Sequence, residues 1–205
     1  ALHADCCCVT ANVMGESLIY KLGVPGEHMA VNSLAVLATA RLTGDDHARA
    51  ALALAKAAPA KGRGVRERLS MAAGELLLID ESYNANPASM RAAIALLSDV
   101  GQGRQRVAIL GSMRELGASS DTQHREVAAA ALASPADIVA GVGEFATALR
   151  ALAPNDARVV VSDELDALWP LLEPRLDRRA VILLKASRGM RLERLVPHIT
   201  LWATA

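Results

Sequence analysis

Two carboxylates, a hydroxyl, a phenol and two amides follow directly on an apolar run in Leu76-Leu77-Leu78-Ile79-Asp80-Glu81-Ser82-Tyr83-Asn84-Ala85-Asn86-Pro87. A short apolar stretch of this kind reads as a buried strand, and the closing proline reads as the first turn of a helix. In an α/β sheet, ligands bind outside the carboxyl ends of the strands, where such polar groups collect. Two more clusters follow the same pattern. Ser112, Arg114 and Glu115 come after the apolar segment 107–110, and Lys185, Ser187 and Arg188 come after 181–184. Any one of these residues is more simply read as a helix cap or a loop satisfier. Three clusters that include Lys and Arg point instead to a site for an anionic or zwitterionic ligand.

Two weaker signals stand upstream. Pro25-Gly26-Glu27-His28 and Asn32 open a helical pattern, and a helix N-terminus can hold a phosphate or a ribose hydroxyl. A cap and a packed loop residue are the commoner outcome there. Arg63, Arg66 and Arg68 surround Gly64 and Glu67. A guanidinium fork at that place could meet phosphate oxygens, although a solvated charged strand edge is the ordinary result. Other chemistries are missing from the string. It contains no G-x-x-x-x-G-K-[ST] phosphate loop, no Gly-Lys dipeptide and no G-x-S-x-G elbow, and its five histidines are not spaced as metal ligands.

These residues need elements to position them. The pattern predicts strands at 6–10 and 17–22, a turn at Pro25-Gly26, and a helix over 32–41. Asp45-Asp46 caps a second, Ala-rich helix that stops before Pro59. Lys61-Gly62-Arg63-Gly64 reads as a flexible basic connection to strands at 67–72 and 76–80 around Ala73-Gly74. Then come helix 88–99, strand 107–110, a helix capped by Asp121 and running to about 133, strand 138–142, helix 144–152, strand 159–161, helix 163–173, strand 181–184 and a helix from about 190. Strands alternating with helices argue for βαβ units in a mostly parallel, Rossmann-like sheet, with every carboxyl end on one rim. The expected division is 1–81, an incomplete α/β front segment, and 82–205, a complete α/β domain.

Composition narrows the class. Of 205 residues, 52% are hydrophobic, enough for a packed core, and 22 basic residues balance 22 acidic ones. No nucleic-acid footprint or anionic membrane surface is expected from a chain of zero net charge with few aromatics. No apolar run is long enough to span a bilayer and no leader pattern opens the chain, so a cytoplasmic, monomeric protein is expected. Cys6, Cys7 and Cys8 are adjacent, which suits small core residues of a strand better than a chelate or a disulfide framework.

Five segments carry a resemblance. Gly26-x-His28-x-x-x-Asn32 before an Ala-rich helix is similar to G-x-H-N-x-x-N-x-x-A-A, and Gly64-Val65-Arg66 to G-x-R. Asp80-Glu81-Ser82-Tyr83-Asn84-Ala85-Asn86 is similar to D-D-S-Y-N-A-N. Leu110-Gly111-Ser112-Met113-Arg114-Glu115-Leu116-Gly117, with His124 following, parallels G-D-M-x-E-L-G, and Lys185-Ala186-Ser187-Arg188 parallels K-G-S-R. The chain resembles the Mur ligases, and within them the type that joins D-alanyl-D-alanine to UDP-N-acetylmuramoyl-tripeptide in peptidoglycan synthesis. It departs from that pattern at Met29 for Asn, Glu81 for Asp, Ser112 for Asp and Ala186 for Gly.

The resemblance implies a three-domain parent, of which this chain would be the end of the central ATP-binding domain plus the C-terminal domain, with the missing N-terminal and central parts as its partners. It implies ATP and Mg²⁺, the metal ligands lying outside this chain. The tripeptide carboxylate is phosphorylated by ATP, and the amine of D-Ala-D-Ala attacks the acyl phosphate to give an amide, ADP and phosphate. By position, His28, Asn32, Arg66, Asp80, Glu81, Tyr83, Asn84 and Asn86 fall on the nucleotide side. Ser112, Glu115, Lys185, Ser187 and Arg188 fall on the dipeptide side. No residue is assigned a catalytic role with certainty, and without a phosphate loop the chain alone is expected to be inactive. Two other readings stand beside this one: a self-sufficient α/β module binding a small anion, and a sibling ligase adding a single amino acid.

Overall fold

The computed structural model describes residues 6–24, 26–58, 61–71 and 74–204. Pro25, Pro59, Ala72 and Ala73, on which parts of the predicted turns rest, lie outside the described residues, as does the His28 side chain. The chain divides into two compact units, Ala1–Pro59 and Ala60–Ala205.

In the first unit, β1 (Cys7–Val13) and β2 (Glu16–Leu22) pair antiparallel, with Cys7 opposite Leu22 and Val13 opposite Glu16. Met14 and Gly15 both take positive φ, as a two-residue hairpin turn requires. Two helices follow, α1 (Glu27–Leu42) and α2 (His47–Leu54). The Asp46 carboxylate caps α2, accepting from the N–H groups of Ala48 and Arg49 at 2.8 and 3.4 Å. Cys7, Tyr20, Leu22, Leu37 and Ala51 share the small core. The three cysteines do not all join it. Side chains alternate along a strand, so Cys7 is buried while Cys8 faces out.

The second unit is a six-stranded sheet in the order β3-β4-β8-β5-β6-β7. Its strands are β3 (Val65–Met71), β4 (Gly74–Glu81), β5 (Arg106–Leu110), β6 (Ile138–Val142), β7 (Val159–Ser162) and β8 (Val181–Lys185). Its helices are α3 (Pro87–Val100), α4 (Ser120–Ala133), α5 (Glu144–Leu152), α6 (Leu165–Leu172) and α7 (Leu195–Thr204). The central strands are apolar along their length because helices cover both faces. Leu77, Ile79, Ala108, Leu110, Val181 and Leu183 point toward α3, α4 and α5. Their alternating neighbours Leu76, Leu78, Val107, Ile109, Ile182 and Leu184 point toward α6 and α7.

The chain runs from β4 past a vacant position to β5, and β8 fills that position last. β8 is parallel to both neighbours, with Glu81 and Leu110 each in register with Lys185. The last strand thereby delivers its polar end between those of β4 and β5.

Several expectations are corrected. β3 and β4 are hydrogen-bonded into the same sheet as β8, and they fall with it in the compact unit that begins at Ala60. Not every carboxyl end lies on one rim: β3 is antiparallel, so its amino end, with Val65 opposite Asp80, meets the carboxyl end of β4. Asp121 does not cap α4; a 3₁₀ turn at Gly117–Ser119 leads into the helix, and Asp121 lies in its first turn, ion-paired with Arg125 at 3.1 Å. The segment after β8 is not helical from 190. It makes two 3₁₀ turns, Arg188–Met190 and Leu192–Arg194, around a left-handed Arg191, before α7 begins.

Candidate active site

Glu81 and Lys185 end adjacent strands in register, and their side chains meet at 3.2 Å. The Lys185 side chain is only 2% exposed, against 25% for Glu81. Its Nζ also donates to the carbonyl of Asn84 at 2.9 Å. A buried ammonium needs such partners, and here they tie the end of β8 to the loop after β4. Asp80 is buried beside them and turns inward: its Oδ1 accepts from the N–H and hydroxyl of Ser82 at 3.0 and 2.5 Å.

Ser187 joins three loops. Its hydroxyl accepts from the Arg114 N–H at 2.9 Å and donates to the Ala85 carbonyl at 3.5 Å, while its own N–H reaches the Ser112 carbonyl at 3.1 Å. Ser112 in turn accepts at Oγ from the Glu144 N–H at 2.9 Å. Gly143 permits this approach: at φ 66° it has no Cβ, and one would stand 2.5 Å from Ser112 Oγ. The next turn of the β5 loop carries exposed Glu115 at φ 66°, a left-handed conformation uncommon for a non-glycine residue and characteristic of sites. Gly189 lets the loop after β8 accept Arg114, whose guanidinium carbon would be 2.5 Å from an added Cβ.

His124 completes the β5 loop from below. Its Nε2 accepts from the Met113 N–H at 2.9 Å and its Nδ1 lies 2.7 Å from the Ser120 carbonyl, which assigns the proton to Nδ1. Glu144 Oε2 is 3.5 Å from the same Nε2, but a nitrogen that accepts a backbone N–H has no proton for the carboxylate, so we read this contact as secondary.

Tyr83 follows β4 with two guanidinium groups against its ring. Arg63 lies over its ring at 4.1 Å and Arg188 at 5.0 Å, and Arg188 Nη1 is 3.0 Å from the phenol oxygen. The hydrogen bond from Arg63, followed by the charge and hydrogen bond of Arg188, holds the phenol below its usual range. The segment Lys61–Gly64 is therefore a fixed turn: Tyr83 N–H donates to the Gly62 carbonyl and Gly64 N–H to the Asp80 carbonyl, each at 2.9 Å.

The structure thus gathers Asp80, Glu81, Tyr83, Asn84, Ser112, Lys185, Ser187 and Arg188 at the carboxyl ends of β4, β8 and β5. Asn86 is adjacent but serves α3, its side chain and that of Ser89 forming a reciprocal capping box. Asn86→Ala is expected to cost about 1 kcal/mol, read by urea denaturation followed through tryptophan fluorescence. Both tryptophans, Trp169 and Trp202, lie in the second unit. Arg66 lies on β3 opposite Ile79, and Arg68 pairs with Glu75 at 2.7 Å, away from the rim. Asn32 and the backbone of His28 belong to α1, in the first unit. Arg63, which the sequence offers only as one of three arginines in a charged segment, is the one brought to Tyr83; the signal was its place between two glycines.

Among the described residues no three His, Cys, Asp or Glu side chains stand together as a metal site, and no helix is long and apolar enough to cross a membrane.

Known proteins share this fold and much of this sequence. The family described as "Mur ligase, glutamate ligase domain" matches residues 66–188. The UDP-N-acetylmuramoyl-tripeptide–D-alanyl-D-alanine ligase of Treponema pallidum is 34% identical over 197 residues, covering 92% of this chain and 42% of the relative. The ligase of the same name from Escherichia coli is 34% identical over 177 residues, covering 85% and 37%. A crystal structure of MurF from Acinetobacter baumannii superposes with a TM-score of 0.82 at 28% identity, over 98% of this chain and 44% of that one. The chain spans roughly two fifths of the curated relatives it matches. With the family match running from β3 to the 3₁₀ turn at Arg188, through all three polar strand ends, the chain belongs to the Mur ligase family.

Proposed function

We propose that this chain contributes the rim just described to an ATP-dependent ligase that adds D-alanyl-D-alanine to UDP-N-acetylmuramoyl-tripeptide. One observation carries the reading: relatives from T. pallidum, E. coli and Bacillus subtilis, aligned over 92%, 85% and 91% of this chain, all bear that name. On this reading residues 1–59 belong to the central ATP-binding domain, and the ligase domain begins near residue 60. The setting is cytoplasmic, because the activated substrates are nucleotides.

The chemistry asked of these residues is positioning and charge neutralisation. ATP supplies the phosphoryl group that makes the tripeptide carboxylate a leaving-group-bearing acyl phosphate, and the dipeptide amine displaces phosphate. By the resemblance, Asn32, with His28, and Arg66, Asp80, Glu81, Tyr83, Asn84 and Asn86 are assigned to the nucleotide side. Ser112, Glu115, Lys185, Ser187 and Arg188 are likewise assigned to the dipeptide side. Exposed arginine forks at the rim suit phosphate and carboxylate oxygens. The Glu81–Lys185 pair is read as orienting the strand ends, since each holds the other.

The test is a chimera in which the aligned 85% of this chain replaces the matching 37% of the E. coli relative. ATP-dependent phosphate release requiring both the tripeptide nucleotide and D-Ala-D-Ala is expected. Release with a single amino acid and not with the dipeptide would favour the sibling ligase. A folded chimera with neither activity would overturn the reading.

A further inference from the structure

Arg63 and Arg188 are exposed cations that share one aromatic ring, with their guanidinium carbons 4.1 and 5.0 Å from its centroid. They are therefore no farther apart than those two distances together. Among the described residues neither guanidinium is in an ion pair with a carboxylate, although nine other arginines there are so paired. Like charges brought this close are stabilised only partly by a ring quadrupole and a phenol oxygen. Each guanidinium has five N–H donors, so a contact with Tyr83 leaves most of them available.

The backbone is built to make this pairing. Gly62 (φ 73°) and Gly64 (φ 78°) flank Arg63 in the left-handed region. A Cβ on Gly62 would stand 3.1 Å from both Cβ and N of Tyr83 and 3.3 Å from Ser82 Oγ. Only glycine lets the turn press against the β4 loop, and the antiparallel pairing of β3 brings that turn to the ligand-binding rim. Arg188 arrives independently, from the end of β8.

We propose that Arg63 and Arg188, oriented by the ring of Tyr83, form an oxyanion clamp that takes the phosphate or carboxylate oxygens of a substrate. The clamp deepens the ligase reading and rests on it for the identity of that substrate. Arg63 enters it as a binding residue. Tyr83 enters as the positioning residue for both arginines.

The experiment measures binding to the full chain by calorimetry at pH 8. The probes are inorganic phosphate, D-Ala-D-Ala, and the C-terminal amide of D-Ala-D-Ala, which lacks the carboxylate. Phosphate binding identifies a phosphoryl site; dipeptide binding that disappears with the amide identifies a carboxylate site. In either case Arg63→Ala is expected to weaken the anion by about tenfold, the worth of a charge-assisted fork. Arg63→Lys should recover only part of the loss. A spectroscopic readout separates the clamp from mere folding. In a Tyr20→Phe background Tyr83 is the sole tyrosine, and its phenol titration can be followed at 295 nm. Because the arginines stabilise the phenolate, Arg63→Ala and a bound anion should each move that titration upward. Unchanged affinity in folded Arg63→Ala, or no binding of either anion to the parent chain, would overturn the clamp. A chimera without dipeptide-dependent turnover, beside Arg63-dependent anion binding, would leave the clamp standing and remove only the ligase reading.

Discussion

Glu81→Ala is expected to lower the unfolding free energy of the second unit by about 3 kcal/mol, the range for removing one partner of a buried ion pair. Lys185 is 2% exposed, and once the carboxylate is lost its remaining hydrogen-bond partner is one backbone carbonyl, that of Asn84. That carbonyl keeps the loss toward the lower end of the range. The strand ends give the effect its reach: β8 lies between β4 and β5, and Lys185 is its last residue. Urea denaturation followed through Trp169 and Trp202 reads the change. Replacing both partners, as Glu81→Gln with Lys185→Met, should recover most of the loss, since no buried charge then stands alone. A Glu81→Ala protein within about 0.5 kcal/mol of the parent, the scale of a solvated surface pair, would show that the lysine finds another route to water.

The three polar strand ends were legible because each follows an apolar run, and a buried central strand has no other place to put polar residues. Strands 138–142 and helix 144–152 were read at their observed bounds for the same reason, as short and strongly patterned elements. What escaped the string was pairing. Nothing local to residues 65–71 says that they run antiparallel to β4, and that direction brings Arg63 to the rim. Insertion of β8 between β4 and β5 is likewise a long-range event, so the partnership of Glu81 with Lys185 was invisible although both residues were singled out. The basic glycine segment looked loose because its two left-handed glycines are defined by hydrogen bonds to Asp80 and Tyr83, not by its own composition.

Phe145→Ala is expected to have the larger effect on stability, about 4 kcal/mol, combining lost transfer energy with a cavity the surroundings close only in part. Phe145 is fully buried in the second unit, among residues of α4 and the helix-covered face of the sheet. Its ring also meets that of His124 edge to face at 5.2 Å, a contact that fixes the imidazole plane. His124 holds Met113 N–H on one side and the Ser120 carbonyl on the other, so the cavity should be felt in the β5 loop as well as in the core. Amide hydrogen exchange distinguishes the two. If the imidazole is an anchor for the loop, the Met113 amide should lose more protection in Phe145→Ala than amides of β6, measured where the unit remains folded. Phe145→Leu, which keeps most of the volume but not the ring edge, should recover much of the stability while leaving Met113 exchanging faster than in the parent. Equal loss of protection at Met113 and in β6 would mean that Phe145 serves the core alone and that the loop is held by Ser112 and Ser187 without help from the imidazole.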